Sequence, residues 1–355
     1  MLSYLIYLLI RFSKNSCLPD FKLGSSIFFA YEFICLRVSS RFVNFFPKSD
    51  SNEDGVLSLQ ELLSHMRKMR EGNNNSESEN QFKPAPENTD IRYSDKHKRN
   101  VLDYYPAKES ESPVPVYVWF HGGGFSGGDK ASVRKGGAKM IKEYLDNGYA
   151  VFSCNYPFIN QKSNVLRNGM LEEYVKNNYI SQDGPEHQKS RNEYIKILRH
   201  CGRAIQFIRS KADEWNIDPE KVCVGGASAG AIISQWLGYS DDLAVTDSND
   251  PVAKFSSRAQ VSVGHVQPVG TDSLVIKYMD KGEAPLFLYS NAPKRDVIHH
   301  PINATRIRDK AKELKIPCVA VGGGKNELPV PKEGSSWLSM QLDFCAKHLK
   351  VASSK

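Results

Sequence analysis

The pentapeptide Gly226-Ala-Ser228-Ala-Gly230 is the sequence feature that most narrows the fold. It follows the apolar residues 222–224, which suit a buried strand, and precedes a helix-like run over 231–237. A serine between small residues at a strand-to-helix junction is typical of a nucleophile elbow, whose sharp turn exposes the serine hydroxyl. We therefore predict that Ser228 is a nucleophile. A structural turn built from small residues is the alternative interpretation.

A glycine-rich segment upstream of the elbow offers a second chemical feature. The β-rich run 114–120 ends in His121-Gly-Gly-Gly124. Consecutive glycines let backbone N–H groups point at a substrate without side chains in the way. We predict that the N–H groups of Gly123, Gly124 and Ala229 form an oxyanion hole. His121 is expected to orient this loop rather than to accept a proton.

Strand-like and helix-like runs alternate from residue 90 onwards, which predicts βαβ units and a mostly parallel sheet with helices on both faces. The predicted strands cover 114–120, 149–155, the run into the elbow, 259–266, 284–290 and 317–321. The predicted helices cover 132–145, 194–215, 231–237, 304–314 and 337–349. Residues 157–190 lack a clear period and are interpreted as an insertion, with a lid as one role.

The two glycine motifs together resemble the α/β-hydrolase esterases of the hormone-sensitive-lipase-like type, and the resemblance covers roughly residues 90–350. It implies an α/β-hydrolase fold with a nucleophile after a central strand, an acid after a later strand and a histidine after the last strand. Asp296, just beyond the strand-like run 286–290, matches the acid.

The histidine that the resemblance implies has no match at its expected place, near Lys325-Asn-Glu327, and the later His348 falls in the last predicted helix. Three other histidines are predicted near the carboxyl ends of strands, where sites form in such sheets: His265, His299 and His300. Each has a structural alternative. His299 and His300 could cap the helix that begins near Pro301, and His265 could be a core residue.

Residues 50–61 match the twelve-residue pattern of an EF-hand calcium loop at every fixed position. The predicted Ca²⁺ ligands are Asp50, Asn52, Asp54, Val56 through its carbonyl, Ser58 and Glu61. A helix up to residue 70 is expected to follow, giving a small helical EF-hand-like segment. Pro47 shortly before the loop and the lack of a second such loop are atypical, and an acidic surface loop is the alternative.

The remaining segments are less specific. Residues 1–49 form an apolar-rich leader that could be a degenerate signal, a membrane-surface anchor or the product of a misplaced start, so membrane contact there stays open. A secreted or periplasmic location is favoured over a cytoplasmic one. Residues 71–88 are polar and low in complexity, which predicts a flexible linker, and 89–355 would be the hydrolase domain.

Charge and cysteine content exclude some classes of function. The net charge of +7 over 355 residues comes from basic residues mixed with acids, so no nucleic-acid partner is expected. Seven irregularly spaced cysteines indicate neither a disulfide framework nor a zinc site.

The sequence thus predicts a serine hydrolase that cleaves small-molecule esters through an acyl-enzyme, with Ca²⁺ in a structural or regulatory role and no cofactor for catalysis. Two alternatives remain. One is a degenerate hydrolase fold that binds a ligand without turnover, and the other is a calcium-dependent interaction module.

Overall fold

The computed structural model describes residues 85–108, 110–159, 188–324 and 326–351. These residues contain one eight-stranded sheet in the order β1-β2-β4-β3-β5-β6-β7-β8. The strands are β1 Asn88–Arg92, β2 Val101–Tyr105, β3 Val114–Phe120, β4 Ala150–Cys154, β5 Ile217–Ala227, β6 Val261–His265, β7 Leu286–Ser290 and β8 Cys318–Gly322. The β1–β2 and β2–β4 pairs are antiparallel, and all other neighbouring pairs are parallel.

Helices cover both faces of this sheet. They are α1 Val133–Gly136, α2 Ala138–Asp146, α3 Gln188–Ser210, α4 Ala212–Trp215, α5 Ala229–Tyr239, α6 Thr271–Leu274, α7 Ile302–Glu313 and α8 Trp337–Leu349. Apolar residues of α3, α5 and α7 form one core with one face of the sheet, whereas those of α2 and α8 form a second core with the other face. The predicted α/β-hydrolase fold is therefore confirmed for the described part of the chain.

The central strands are buried along most of their length because both faces are covered. In β5, Val222 and Val224 face the first core and Cys223 faces the second. The parallel strands β3 to β8 end at one edge of the sheet, so the loops after their carboxyl ends meet there.

Three local predictions differ from the structure. The helix predicted over 132–145 is divided into α1 and α2 at Gly137, where a Cβ would lie 2.7 Å from the Val133 Cγ2 atom. The single helix predicted over 194–215 is two helices: α3 begins at Gln188, within the predicted insertion, and ends at Ser210, and α4 ends before Asn216, which adopts left-handed backbone angles. Strands β1 and β2 were not predicted.

Neither β1 nor β2 has the apolar pattern that predicts a strand, because β1 is polar and β2 contains a buried carboxylate. β1 is mostly exposed, so its residues show no apolar alternation. β2 is buried throughout and includes Asp103, whose carboxylate lies 2.6 Å from the Lys130 Nζ and 2.7 Å from the Arg134 Nη2. A charged residue in a buried strand is tolerated only with such partners, which lie distant in sequence.

Several predictions fall outside the described residues. These are the leader 1–49, the calcium loop and its exit helix over 50–70, most of the linker 71–88, and residues 160–187 of the insertion. Strand β1 begins at Asn88, the last residue of the predicted linker. No helix of the described residues is long and apolar enough to cross a membrane.

Candidate active site

Ser228 occupies the turn between β5 and α5. Its backbone angles are φ 55° and ψ −116°, a strained conformation for a residue with a side chain. Glycine is required on both sides. A Cβ on Gly226 would lie 2.3 Å from the Gly230 carbonyl group, and a Cβ on Gly230 would lie 2.0 Å from the Phe120 carbonyl oxygen. The spacing of the motif is therefore explained by close backbone contacts.

The Ala229 N–H, at the start of α5, is a backbone donor beside Ser228. The Ser228 N–H donates to the His265 carbonyl oxygen at 2.9 Å, which ties the turn to the end of β6. Ala229 is the first residue of α5, and the N–H groups of the first helical turn have no acceptor within the helix. The Ala229 N–H is thus a group of the type that an oxyanion hole uses.

The glycine loop after β3 packs directly against this turn. A Cβ on Gly122 would lie 2.8 Å from the Ala227 carbonyl oxygen and 3.3 Å from the Ser228 Cβ. Gly123 and Gly124 have φ values of +119° and +60°, which side chains rarely permit. The loop that carries the predicted oxyanion donors therefore lies next to Ser228.

His121, at the start of this loop, is buried and hydrogen-bonds within the loop. Its Nδ1 atom lies 2.7 Å from the Gly122 carbonyl oxygen. Burial, aided by the charge on Arg99, holds the pKa of His121 below its ordinary value despite the hydrogen bond to Gly122. A neutral ring that hydrogen-bonds its own loop fits the expected orienting role.

His299, in the loop after β7, is the histidine that contacts the serine. Its Nε2 atom lies 3.0 Å from the Ser228 Oγ, and its Nδ1 atom lies 3.2 Å from the Asp296 Oδ2. The ring is about one-quarter exposed. Hydroxyl, imidazole and carboxylate thus form one continuous hydrogen-bonded chain.

Asp296 is held by its own loop. Its Oδ1 atom accepts hydrogen bonds from the backbone N–H groups of Ile298 at 3.1 Å and His299 at 2.9 Å. Burial raises the pKa of Asp296, but the hydrogen bonds and the neighbouring His299 ring outweigh burial, and the pKa lies below its ordinary value. The carboxylate is therefore ionised at neutral pH and is fixed by the same turn that carries His299.

His300, the other candidate in this loop, caps a helix. Its Nδ1 atom accepts a hydrogen bond from the Ile302 N–H at 3.1 Å, at the start of α7. Burial and the positive charge of Lys294 lower the pKa of His300. The structure brings His299 rather than His300 to Ser228.

His265, the third candidate, is a core residue. Its ring is buried among Trp119, Tyr289 and Trp337, and its Nε2 atom lies 2.7 Å from the Gln341 Oε1. Burial lowers the pKa of His265 to about 4, more than the bond to Gln341 raises it. His265 is therefore the core residue that the sequence offered as the alternative to a catalytic base.

Asn326 occupies the loop after β8, where the resemblance implies a histidine. Its Nδ2 atom donates to the carbonyl oxygens of Ser290 at 2.9 Å and Ala292 at 3.0 Å, and its Oδ1 accepts from the Leu328 N–H. Asn326 therefore joins the loops after β7 and β8. No pattern in the sequence indicates this contact, because it joins residues distant along the chain.

Among the described residues, no three His, Cys, Asp or Glu side chains cluster in a way that could hold a metal ion. The predicted calcium ligands at 50–61 lie outside those residues.

The arrangement around Ser228 has the elements that nucleophilic acyl transfer requires. A hydroxyl contacts an imidazole, a carboxylate orients that imidazole, and the glycine loop that carries the predicted oxyanion donors packs against the serine. The carboxylate and the imidazole come from one loop, in which Asp296 and His299 are three residues apart.

The sequence was compared with known families and proteins. The BD-FAE family profile matches residues 102–165 and 158–280, which together span half of the 355-residue chain. The fumonisin B1 esterase of Sphingopyxis macrogoltabida is 27% identical over 193 residues, 53% of this chain. The aligned part is 32% of that relative's length, so the chain matches about a third of it.

Solved structures share the fold. A truncated form of a carbohydrate esterase from gut microbiota has a TM-score of 0.54 and 16% identity, and the match covers 76% of this chain and 98% of that chain. Esterase 2 of Thermogutta terrifontis, phosphorylated by paraoxon, has a TM-score of 0.52 and 15% identity, with coverage of 77% and 97%.

Proposed function

The chain belongs to the BD-FAE family, and on that premise we propose that it is an esterase that cleaves carboxylic esters through a serine acyl-enzyme. The observation that carries the proposal is the chain of contacts from the Ser228 Oγ through His299 to Asp296. A small-molecule ester is the proposed substrate. The ester-cleaving relative and the esterases of the same fold support this class.

In the first half of the proposed reaction, the Ser228 Oγ attacks the carbonyl carbon of the ester while its proton passes to the His299 Nε2. Asp296 accepts the hydrogen bond from Nδ1 and stabilises the imidazolium that forms. The N–H groups of Gly123, Gly124 and Ala229 stabilise the oxyanion. His299 then donates its proton to the departing alkoxide, and the acyl group stays on Ser228.

In the second half, water replaces the alcohol. His299 takes a proton from the water, the resulting hydroxide attacks the acyl carbon, and the second tetrahedral intermediate collapses to release the acid. The proton returns from His299 to Ser228. Because Asp296 and His299 share one short loop, that loop fixes the carboxylate beside the imidazole.

Hydrolysis of short p-nitrophenyl esters tests this proposal. The wild-type protein is expected to turn over the esters, and Ser228→Ala is expected to abolish turnover. Ser94→Ala, at a half-buried position in the loop after β1, is the matched control and should retain full activity. Undiminished turnover in Ser228→Ala would contradict the proposal.

A second candidate function is ligand binding without turnover. The observation that favours it is the absence of a histidine from the described part of the loop after β8, where Asn326 lies instead. A fluorophosphonate probe separates the two functions, because it labels only an activated serine. Labelling of the wild type but not of Ser228→Ala supports the esterase, whereas no labelling of either supports the binding protein.

We also propose that residues 50–61 bind Ca²⁺, because they match the calcium-loop pattern at every fixed position. Asp50, Asn52, Asp54, Val56, Ser58 and Glu61 are the proposed ligands. Calorimetry with Ca²⁺ should detect one site in the wild type and none in Glu61→Gln, with Asp95→Asn on the surface as control. If Ca²⁺ serves binding to a partner, Glu61→Gln would leave ester hydrolysis unchanged.

A further inference from the structure

The strongest unassigned feature beside the site is Arg99, in the loop between β1 and β2. Its side chain is about one-fifth exposed, and its guanidinium group lies 3.9 Å above the Phe158 ring. No motif in the sequence includes it. Its contacts nevertheless converge on the glycine loop and on the residues that follow β4.

Arg99 contacts the far end of the glycine loop and the end of β4 at the same time. Its Nε donates to the Tyr156 carbonyl oxygen at 3.0 Å, and its Nη2 donates to the Gly128 carbonyl oxygen and to the Asn155 Oδ1, both at 3.0 Å. The planar guanidinium group presents several N–H donors in a fixed geometry, which a lysine ammonium group cannot reproduce.

Arg99 also contacts the near end of the loop through His121. A carbonyl oxygen only accepts hydrogen bonds, so the His121 Nδ1 that contacts the Gly122 carbonyl must carry the proton. The Nε2 atom then has a free lone pair, and it lies 3.3 Å from the Arg99 Nη2, whose two hydrogens are shared among this lone pair and the two oxygen acceptors. Tyr156 completes the contact, because its ring stacks on His121 and its hydroxyl donates to the His121 carbonyl oxygen.

We infer that Arg99 is a positioning residue for the oxyanion donors: it holds both ends of the loop 121–128 and so sets where the Gly123 and Gly124 N–H groups lie relative to Ser228. This inference rests on the proposed esterase function. The contact between Gly122 and the elbow transmits any shift of His121 to the neighbourhood of Ser228. Loss of Arg99 would therefore weaken stabilisation of the oxyanion without removing the nucleophile or the base.

The charges around His121 agree with this role. Besides Arg99, the charged group that faces the ring is Asp129, which lies after the loop, while Tyr156 and Asn155 face it from the end of β4. Asp129 is held by Asn155 Nδ2 at 2.8 Å. The guanidinium beside His121 disfavours a second proton on the ring, which preserves the Nε2 lone pair that Arg99 contacts.

The test compares Arg99→Ala and Arg99→Lys with Arg92→Ala, an exposed arginine at the end of β1. Active sites are first counted by fluorophosphonate titration. Per titrated site, kcat of Arg99→Ala should fall about 10- to 100-fold, less than the loss on removing an oxyanion donor outright, with little change in KM. Methylguanidinium added to the solution should restore part of kcat, and Arg99→Lys should not reach wild-type kcat.

Two outcomes would overturn the inference. One is a kcat per titrated site in Arg99→Ala equal to that of the wild type, even if Tm is lower, because Arg99 would then only stabilise the fold. The other is an NMR spectrum in which the Gly123 and Gly124 amide signals are the same in Arg99→Ala and Arg92→Ala. The NMR comparison needs no turnover, so it separates failure of this inference from failure of the esterase proposal.

Discussion

His265 is the last residue of the parallel strand β6, and His299 lies in the loop after the parallel strand β7, but their surroundings differ in every respect that matters for proton transfer. His265 is buried between aromatic rings and bonds to Gln341, whereas His299 is partly exposed and lies between Ser228 and Asp296. His265 shares a face of β6 with Val261 and Val263, which belong to the core beneath α8. His299 lies in a loop, where strand alternation does not decide its direction.

This contrast shows that a position at the carboxyl edge of the sheet locates the site but does not decide which histidine contacts Ser228. One backbone atom of His265 does reach the site, because its carbonyl oxygen accepts the Ser228 N–H. Its ring points the other way. Removal of the ring should therefore affect stability, whereas removal of the His299 ring should affect chemistry.

The largest expected effect is that of His299→Ala. We expect kcat/KM for p-nitrophenyl butyrate to fall on the order of 10⁴- to 10⁶-fold, because no other base contacts the Ser228 Oγ in the described part of the protein. The adjacent His300→Ala, which removes a helix cap, is the matched control and should stay close to wild type. Equal losses in both variants would contradict the comparison.

Asp296→Asn should have the next largest effect, a fall in kcat of roughly 10³- to 10⁴-fold, since an amide cannot hold the imidazole in the required tautomer or stabilise its charge. Steady-state kinetics at saturating ester would measure this. A solvent-exposed carboxylate, as in Asp95→Asn, supplies the control. If kcat of Asp296→Asn matched that control, the acid would lie elsewhere.

The loop after β8 allows a test of whether a histidine from another loop can replace His299. In a His299→Ala background, Asn326→His places a histidine where the resemblance implies one. We expect no recovery of kcat/KM, because Asn326 points at the carbonyl groups of Ser290 and Ala292 rather than at Ser228. A gain of activity in the double variant would show that both loops can supply the base.

The single variant Asn326→Ala tests whether Asn326 has a structural role, and we expect it to lower stability rather than activity. Two carbonyl groups lose their shared donor, which should lower the free energy of unfolding by about 1–3 kcal/mol. Thermal denaturation measures the loss, and Lys332→Ala, on the exposed surface beyond β8, is a suitable control. An unchanged Tm would indicate that the two loops do not depend on this contact.

The last expected effect is a change in stability with pH that comes from His265. Its pKa is about 4 in the folded state and near 6.5 in the unfolded state, so the unfolded state binds more protons between these values. Stability contributed by neutral His265 is therefore complete above pH 6.5 and is lost as pH falls towards 4, by at most about 1.4 kcal/mol per pH unit.

Urea denaturation at pH 7 and pH 5 would measure this slope. His265→Phe keeps an aromatic ring in the pocket but cannot be protonated, so the difference in stability between the two pH values should shrink relative to wild type. His348→Phe, in α8 and less buried, is the comparison variant. An identical slope in wild type and His265→Phe would contradict the assignment of a depressed pKa to His265.

Much of the fold could be predicted from the sequence, because its signals are local. Apolar runs and helical periods located β3 to β8, and the boundaries 337–349 of the last helix agree with α8. Strands β1 and β2 were missed for a physical reason: one is polar and exposed, and the other carries Asp103, whose partners come from a distant segment.

The nucleophile elbow could be located from the sequence without the structure. Its local geometry, with a positive φ at Ser228 and close backbone contacts at Gly226 and Gly230, permits few other residues at the two glycine positions. The sequence did not determine which histidine contacts the serine or that Arg99 holds the glycine loop. Those contacts join segments that are distant along the chain. The His265 ring packs against α8, the Arg99 side chain against the residues after β4, and the His299 ring of the loop after β7 against Ser228. Only the tertiary structure decides such contacts.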